Sequence, residues 1–334
     1  MSQDNRRKAL TKWLSAVTDT EQIILESLTG DAGFRQYFRF STSGGQSVIA
    51  VDSPKDKCNN LAFTHIQACL LSQGIKVPQI IDQDEEQGFF CLTDLGNTLL
   101  ADKLTLDSMA QYYKRAMAII PKIATVQDST AYRFPVFDRD FVQLELNIFS
   151  QWLLHHHLDI KTIDLEKLQA CFDVLIDNAL EQPQVVMHRD FHSRNIMLEH
   201  DNELAVIDFQ DAVKGPITYD VVSLLRDCYV RWPDEKIYPL LEHFIEHHIT
   251  STDLACGVSQ STWHRWFDLM GLQRHIKAAG IFARLYLRDN KPGYLSDIPL
   301  TLCYIKDVSA HYGELSYLHE VVRDIVIPSL EQKQ

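Results

Sequence analysis

One segment near the middle of the chain combines apolar and polar runs in a way that few folds accommodate. The apolar triplets VVM (185–187) and IML (196–198) enclose the mostly polar residues HRDFHSRN. A polar, turn-forming stretch, EHDNE, follows, and then the apolar run LAVID. Two short apolar runs separated by turn residues predict a β-hairpin. In a hairpin the start of one strand lies beside the end of the other, so Asn195 and Asp208 should be neighbours.

The polar residues of this segment are compatible with three kinds of site. Asp190 lies on the loop just before the hairpin, so one site would hold two carboxylates and a carboxamide. Such oxygen ligands suit Mg²⁺, and Asp190 would then accept a hydroxyl proton during phosphoryl transfer. Alternatively, Asp190 and Asn195 are turn residues that bond to the backbone. The third possibility is a zinc site in which His188, Asp190 and His192 share one face of a strand.

Two motifs in this region, HRDFHSRN and AVIDFQD, resemble the catalytic loop and the metal motif of the aminoglycoside phosphotransferase family. This family is the small-molecule branch of the protein-kinase-like fold, and its pattern is H-x-D-x-x-x-x-N followed by an apolar run and I-D-F/W. The resemblance implies that Asp190 is the catalytic base and that Asn195 and Asp208 bind Mg²⁺ in an ATP-dependent enzyme. It also implies that Asp220, in GPITYDVVSLLRD, anchors the catalytic loop.

Three longer stretches extend the resemblance over nearly the whole chain. They are GDAGFRQYFRF, LELNIFSQWLLHHHL and LQRHIKAAGIFARLYLRDNKPGYLSDIP. They look like the bacterial anomeric sugar kinases, which phosphorylate N-acetylmuramate and N-acetylglucosamine in cell-wall recycling. The implied function is ATP-dependent phosphorylation of the anomeric hydroxyl of such a sugar. A kinase for an aminoglycoside, choline or another sugar, and a kinase-like nucleotide-binding module without turnover, remain alternatives.

Strand-like and helix-like patterns divide the chain into two parts. Short runs such as YFRFSTS and SVIAVD, together with a helix, fill the first hundred residues. Helical periodicity dominates from Leu104 onward. A helix predicted over residues 139–156 has one apolar face, formed by Phe141, Leu144, Ile148, Phe149 and Trp152, and a helix is also predicted over 299–330.

The resemblance implies an α+β chain with a protein-kinase-like two-lobed fold. A small N-lobe is expected in residues 1–94, where an antiparallel sheet and a helix bind the nucleotide. A larger, mainly helical C-lobe is expected in residues 95–334, with the catalytic loop and the acceptor-binding helices. The length of 334 residues suits two lobes better than one small core.

The nucleotide site departs from the usual kinase pattern, in which a lysine on the third strand pairs with a helix glutamate. The strand SVIAVDSPKDK has lysines only after Pro54, and the helix NNLAFTHIQACLL has no acidic residue. We expect Arg35 to hold the phosphates, with Lys55 and Lys57 as alternatives. The expected nucleotide-binding residues are Gly30, Asp31, Gly33, Arg35, Thr93 and Leu95. The same residues also fit ordinary turns, connectors and exposed positions.

Candidate acceptor-binding residues come from two predicted helices. Lys277, Arg284 and Arg288 recur at spacings of seven and four, which places them on one helix face. The carboxylate of N-acetylmuramate would pair with one of these cations, although a solvated face gives the same pattern. Glu145 and Asn147 are candidates for binding sugar hydroxyls.

Charge and cysteine content limit the expected partners. The formal net charge of −13 opposes binding to nucleic acid and to anionic membranes. No apolar run approaches the roughly 18 residues of a membrane span, and the N-terminus has no apolar core of a secretory signal. Seven widely spaced cysteines without a C-x-x-C motif predict reduced thiols in the cytoplasm. The resemblance implies that the partners are ATP and a small-molecule sugar acceptor.

Overall fold

The computed structural model describes residues 3–28, 33–199, 201–249 and 257–333. The chain forms two compact units. Unit 1 consists of Met1–Lys103, Asp128–Arg133 and Arg194–Asp211, and unit 2 of Leu104–Gln127, Phe134–Ser193 and Ala212–Gln334. Unit 1 contains most of the strands and unit 2 is mainly helical, so the predicted α+β class is confirmed.

Nine strands and twelve α-helices lie within the described residues. The strands are β1 (Glu26–Ser27), β2 (Gln36–Ser41), β3 (Ser47–Asp52), β4 (Ile80–Asp84), β5 (Phe89–Thr93), β6 (Gln184–Met187), β7 (Ile196–Leu198), β8 (Leu204–Val206) and β9 (Val213–Pro216). The helices are α1 (Gln3–Thr18), α2 (Asn60–Ser72), α3 (Met109–Met117), α4 (Ile120–Ala124), α5 (Arg139–Ile148), α6 (Leu165–Glu181), α7 (Tyr219–Leu225), α8 (Asp234–Phe244), α9 (Gln260–Asp289), α10 (Ile298–Ser309), α11 (Ser316–Val321) and α12 (Ile327–Glu331). Short 3-10 and π-helical turns extend or link several of these helices.

Strands β1 to β5 form one antiparallel sheet in unit 1, in the order β1-β2-β3-β5-β4. The β-branched and aromatic residues of runs such as SVIAVD favour this extended pairing. Because side chains alternate between the two faces of a strand, Phe38 and Ala50 share a core with Leu14 of α1. Tyr37 and Val51, which pair across β2 and β3, therefore lie on the opposite face.

The hairpin predicted after the HRDFHSRN motif is present in unit 1. Strands β7 and β8 pair antiparallel, with Ile196 opposite Val206. The backbone N–H of Ile207 donates to the carbonyl of Asn195 over 3.0 Å, so the pairing continues beyond the strands. Asn202 has a φ of +67° in the turn, a conformation that asparagine adopts more readily than most residues. The hairpin prediction is confirmed.

Unit 2 is organised around α9, which is 30 residues long and buried along most of its length. A helix covered on every side shows no single apolar stripe, and the buried residues of α9 include Arg274 and Lys277. The helix passes so close to Phe149 that a Cβ on Gly280 would lie 2.5 Å from the Phe149 backbone nitrogen. Glycine is therefore required at this crossing. Among the described residues, no helix combines the length and the apolar character needed to cross a bilayer.

The apolar face predicted for the helix around Leu144 is partly wrong: its member Phe149 is buried, but its member Leu144 is exposed. The Leu144 side chain is 66% exposed. The buried face runs through Val142 and Leu146, which were not predicted, and through Phe149, which was; their spacings of four and three keep them on one side of a helix with 3.6 residues per turn. The helix then continues as a π-helix over Phe149–His157. Two overlapping apolar stripes fit this sequence, and periodicity alone does not choose between them.

The C-terminal region contains several short helices where the sequence predicts one over residues 299–330. Helix α10 ends at Ser309, a 3-10 turn covers Gly313–Leu315, and α11 begins at Ser316. Glycine is a poor helix former, and Gly313 lies at this break. Apolar periodicity therefore predicts a helix that is too long.

Candidate active site

The candidate catalytic loop begins in unit 2, where β6 ends at Met187. Asp220, on α7, accepts hydrogen bonds from the backbone N–H groups of His188 at 2.7 Å and Arg189 at 3.0 Å. Arg189 has a φ of +79°, which is uncommon for a residue with a side chain and costs free energy. The two hydrogen bonds to buried Asp220 stabilise this turn. The predicted anchoring role of Asp220 is confirmed.

A second anchor lies at the other end of the loop. Ser193 Oγ donates to Asp227 Oδ2 at 2.7 Å, and the Ser193 N–H reaches the same oxygen at 3.3 Å. Both residues are buried. Between the anchors, the N–H of His192 donates to the carbonyl of Asp190 at 3.0 Å. The loop over residues 188–193 is therefore bonded at both ends and once within its own backbone.

Asp190 lies on this loop among positively charged side chains. Burial alone would raise the pKa of its carboxyl, but the charges of Lys277, Arg189 and Arg274 outweigh that effect and hold the pKa well below its usual range. The carboxylate is therefore ionised at neutral pH. An ionised carboxylate on a fixed loop can orient a hydroxyl group and accept its proton.

One buried acid, Glu145 of α5, holds two of these cations in place. Its carboxylate accepts hydrogen bonds from Arg189 Nη2 at 2.6 Å and Gln273 Nε2 at 2.8 Å, and it lies 3.5 Å from Lys277 Nζ. Burial alone would raise the pKa of Glu145, but the charges of Lys277 and Arg189 lower it. Because breaking a buried ion pair leaves an uncompensated charge, this cluster fixes the side chains beside Asp190.

Sequence reasoning missed Arg189 and Arg274. Arg274 Nη1 donates to the backbone carbonyl of Arg189 at 2.8 Å, and its guanidinium lies 4.8 Å from the ring centre of Tyr219. Lys277 Nζ donates to the Tyr219 hydroxyl at 2.9 Å. The signal that points to this cluster is QRHIK within the largely apolar α9, since polar side chains concentrated in a buried helix need partners.

The two histidines of the loop make aromatic contacts. His188 is buried with its ring edge-on to Phe191 at a centroid distance of 5.8 Å, and His192 is edge-on to Tyr229 at 5.5 Å. Within the described ranges, three ligand groups suited to a metal come together only at Glu199, Asp201 and Glu203, which surround the ammonium group of Lys76. The zinc alternative for His188, Asp190 and His192 therefore has no cluster of ligand atoms to support it.

The predicted metal ligands lie in unit 1, at the start and the end of the hairpin. Asn195 Nδ2 lies 3.5 Å from Asp208 Oδ2, and Gln210 Nε2 donates to Asp208 Oδ1 at 2.7 Å. The structure therefore makes Asn195 and Asp208 neighbours, as the hairpin pattern predicts. A half-turn of the Asn195 amide would present Oδ1 in place of Nδ2. A carboxylate and a carboxamide oxygen at this separation fit the hard oxygen ligands that Mg²⁺ prefers.

Arg35 lies in the same unit as Asp208, just before β2. Its Nε donates to Ser53 Oγ at 3.0 Å. Burial raises the pKa of the nearby Tyr37 hydroxyl to about 12, while the charge of Arg35 lowers that pKa and the charge of Asp208 raises it. The charges of Arg35 and Asp208 therefore both affect the Tyr37 hydroxyl, which lies on the face of the sheet opposite α1.

The other predicted nucleotide-binding residues are only partly described. Gly30 and Asp31 lie outside the described residues, and Gly33 is exposed. Thr93 ends β5 and, like Leu95, is half-buried. The contacts of these residues with a nucleotide stay predictions.

The predicted acceptor-binding residues lie in different environments of unit 2. Glu145 is part of the buried cluster with Lys277. Asn147 is exposed. It lies two residues after Glu145, which corresponds to about 200° around the helix axis, so the two side chains point to nearly opposite sides of the helix. Arg284 is half-buried, and its pKa is lowered by burial and by the charge of Arg288, which is exposed. The helix stripe that the sequence suggests is therefore buried at Lys277 and solvated at its other end.

Solved structures of small-molecule kinases share this architecture. A choline kinase, LicA, from Streptococcus pneumoniae superposes with a TM-score of 0.65 at 13% identity, over 91% of this chain and 99% of that one. An amicoumacin kinase solved with AMP-PNP, Ca²⁺ and amicoumacin superposes with a TM-score of 0.64 at 14% identity, over 93% and 96% of the two chains. The predicted protein-kinase-like fold is confirmed.

Sequence comparison places the chain among phosphotransferases. Residues 24–250 match the sequence model of the phosphotransferase enzyme family. The N-acetylmuramate/N-acetylglucosamine kinase of Neisseria meningitidis serogroup B is 36% identical over 96% of each chain. The protein of the same name from Pseudomonas aeruginosa is 34% identical over 97% of this chain and 98% of that one. The chain therefore belongs to the phosphotransferase enzyme family, as its HRDFHSRN and AVIDFQD motifs predict.

Proposed function

We propose that this protein is an ATP-dependent sugar kinase that phosphorylates the anomeric hydroxyl of N-acetylmuramate or N-acetylglucosamine in cell-wall recycling. The observation that carries the proposal is the match, over nearly the whole chain, to relatives that bear this name. A cytoplasmic location is part of the proposal, because ATP is the second substrate and the six cysteines of the described residues are free thiols.

Asp190 is assigned the role of orienting the acceptor hydroxyl and accepting its proton. The hydroxyl oxygen attacks the γ-phosphorus, the bond from that phosphorus to the bridging oxygen breaks, and ADP leaves. With a pKa below its usual range, the Asp190 carboxylate cannot remove the proton in advance. The proton instead moves to Asp190 as the new oxygen–phosphorus bond forms and the hydroxyl becomes acidic.

Asn195 and Asp208 are assigned the role of binding Mg²⁺. Their neighbouring oxygen-bearing side chains support this role. Mg²⁺ bound there would neutralise charge on the transferring phosphates. Gln210 orients Asp208 through a hydrogen bond from a neutral amide, which leaves the charge of the carboxylate unchanged.

The nucleotide and acceptor contacts are assigned from the same reasoning. The residues proposed to bind ATP are Gly30, Asp31, Gly33, Arg35, Thr93 and Leu95. The residues proposed for the acceptor are Glu145, Asn147, Arg284 and Arg288. Among the acceptor group, Arg284 has the strongest support, since its Nε is buried without a hydrogen bond to any described residue and its charge suits the carboxylate of N-acetylmuramate.

The deciding experiment is a product analysis. The protein is incubated with ATP, Mg²⁺ and, separately, N-acetylmuramate, N-acetylglucosamine, glucose, choline and an aminoglycoside, and the products are read by phosphorus NMR. We expect an anomeric phosphate from the two N-acetylated sugars, and none with the Asp190→Asn variant. A phosphate on a primary hydroxyl, or product only from choline or the aminoglycoside, would contradict the acceptor assignment.

A further inference from the structure

Arg35 occupies a defined place on the sheet of unit 1. The pairing of β2 with β3 places Gln36 opposite Asp52 and Tyr37 opposite Val51. Continued by one residue, this register places Arg35 beside Ser53. Since side chains alternate along a strand, Arg35 shares the sheet face of Tyr37, which is the face opposite α1. Arg35 lies just before β2, and its side chain reaches the end of β3. In kinases the third strand usually carries the phosphate-binding lysine.

Neutral groups hold the Arg35 guanidinium. Nε donates to Ser53 Oγ at 3.0 Å, and Nη2 donates to the carbonyl of Asn59 at 3.0 Å. Ser53 Oγ in turn donates to Asn60 Oδ1 at 2.5 Å, and Asn60 Nδ2 donates back to the Ser53 carbonyl at 2.9 Å. These hydrogen bonds fix the direction of the guanidinium without cancelling its charge.

Two other arginines at this sheet, Arg6 and Arg39, are neutralised. Arg6 pairs with the carboxylate of Asp52, and Arg39 pairs with that of Asp94 at 2.7 Å. Arg35 forms no ion pair with any residue in the described ranges, although two hydrogen bonds orient its guanidinium. A half-buried, oriented arginine whose charge is not compensated by those residues is suited to an anionic ligand such as a phosphate.

The pair formed by Ser53 and Asn60 is built into a close-packed turn. Ser53 is fully buried, and its N–H donates to the carbonyl of Gly88 at 2.8 Å. Gly88 has a φ of +71°, and a Cβ there would lie 2.2 Å from the Ser53 carbonyl oxygen and 3.0 Å from Asn60 Nδ2. The position of Ser53 is therefore set by backbone packing. Because Arg35 Nε donates to Ser53 Oγ, Ser53 in turn fixes the direction of the Arg35 guanidinium.

An aromatic stack joins Arg35 to the predicted metal motif within unit 1. The Arg35 guanidinium lies 5.3 Å from the ring centre of Phe63. Phe63 stacks on Phe209 with a centroid distance of 5.2 Å and an interplanar angle of 23°. Phe209 directly follows Asp208 in the sequence. The Arg35 guanidinium and the motif that contains Asp208 are thus linked by direct packing. A ligand that carries phosphates and a bound metal ion would contact Arg35 with its phosphates and Asp208 with its metal ion.

We propose that Ser53 and Asn60 are positioning residues that aim Arg35 at the phosphates of ATP, so that this neutral pair replaces the lysine–glutamate ion pair usual in kinases. The inference rests on the proposed kinase function. It names two further residues that act on nucleotide binding through Arg35, without contact with the nucleotide.

Calorimetric binding of AMP-PNP with Mg²⁺ to the full chain tests this proposal, since the measurement needs no acceptor. We expect Arg35→Ala to weaken binding by about tenfold or more, as expected for a lost charge-assisted contact. Ser53→Ala should weaken binding by about threefold, and the Arg35→Ala/Ser53→Ala double variant should match Arg35→Ala alone. Ser41→Ala, an exposed serine on β2, is the matched control and should leave the affinity unchanged.

Three results would overturn the proposal. They are unchanged affinity in Arg35→Ala, multiplied effects in the double variant, and a loss in Lys55→Ala or Lys57→Ala that exceeds the loss in Arg35→Ala. Because Ser53 is buried, Arg35→Lys provides a second route that leaves the turn intact: it keeps the charge and removes the contacts to Ser53 and Asn59. We expect it to weaken binding severalfold, and adding Ser53→Ala should have no further effect.

Kinetics separate a positioning role from a general structural one. In Ser53→Ala the KM for ATP should rise while the KM for the sugar stays constant, whereas a structural defect would change both. If no sugar is phosphorylated but AMP-PNP still binds, the acceptor assignment has failed and the Arg35 test remains valid. If the wild-type chain does not bind AMP-PNP, both proposals fail together.

Discussion

Asp190 and Asp208 belong to one pair of motifs, but the chain surrounds them differently. In unit 2, Asp190 lies among the charges of Arg189, Arg274 and Lys277. In unit 1, Asp208 accepts hydrogen bonds from the side-chain amides of Asn195 and Gln210. A cation that orients a carboxylate also brings an opposite charge, whereas an amide that orients it is neutral.

The difference indicates how each carboxylate is prepared for its proposed role. The cations that stabilise the ionised form of Asp190 are parts of the chain, so this carboxylate needs no added ion. The amides around Asp208 suit a carboxylate that binds an added cation. The two sites should therefore respond differently to amide substitution, to Mg²⁺ and to pH.

The largest effect is expected at Asp190. Asp190→Asn keeps the shape of the side chain and removes the acceptor for the hydroxyl proton, so kcat should fall by about a thousandfold or more. The measurement is steady-state turnover of ATP with N-acetylmuramate. Affinity for AMP-PNP serves as the control and should change less than about twofold. Residual kcat within tenfold of wild type would remove Asp190 from the mechanism.

Asp208→Asn should produce a smaller effect that depends on Mg²⁺. The variant retains an oxygen ligand but loses its charge, so kcat/KM should fall by about a hundredfold and the Mg²⁺ concentration at half-maximal rate should rise. Asp201→Asn, at the exposed hairpin turn, is the matched control. An unchanged Mg²⁺ dependence in Asp208→Asn would argue against its role as a ligand.

A third comparison concerns stability. Asp220→Ala leaves the buried N–H groups of His188 and Arg189 without their acceptor, so the free energy of unfolding should fall by about 2–4 kcal/mol. Asp177→Ala removes an exposed partner of Arg139 and should cost less than about 1 kcal/mol. Urea unfolding followed by circular dichroism provides both values. Equal costs for the two variants would mean that Asp220 is not the anchor of the loop.

The smallest expected effect is a shift in pH dependence. Lys277→Met removes a positive neighbour of Asp190, so the pKa of Asp190 should rise and the acid limb of kcat/KM should move up by about one pH unit. In the wild-type chain the lowered pKa also stabilises the folded state at neutral pH, and this contribution is lost only as the pH falls below the usual carboxylate range. Lys122→Met, on α4, is the control. An acid limb that does not move would show that Lys277 has no effect on Asp190.

Local sequence predicted the hairpin and the neighbouring positions of Asn195 and Asp208, and the resemblance to the family implied the anchor at Asp220. These features depend on short-range patterns and on motifs whose spacing is fixed. The bond from Arg274 to Arg189 joins residues 85 positions apart, and the contact of Lys277 with Glu145 joins two separate helices. No local pattern encodes such pairings, because they depend on how buried helices pack.

The same limit explains two partial failures. In the sequence, the stripe that contains Lys277 fits a solvated helix face. In the structure, Lys277 is buried against Glu145 of α5. In the sequence, the apolar stripe through Leu144 fits a buried helix face. In the structure, the neighbouring stripe through Val142 is buried. In both cases the helix was predicted correctly, and the choice of its buried face required the partner helix.

The close crossing at Gly280 has a consequence for how the chain can evolve. A methyl group there would meet the backbone at Phe149 and push the two segments apart. Lys277 lies about one helical turn before Gly280, and Glu145 lies about one turn before Phe149. The distance between Lys277 and Glu145 therefore depends on how closely the two helices approach at Gly280. We therefore expect selection to retain Gly280 as strictly as a residue that meets the reactants. A genetic screen for lost activity should recover substitutions at this position, although glycine has no side chain to take part in the reaction.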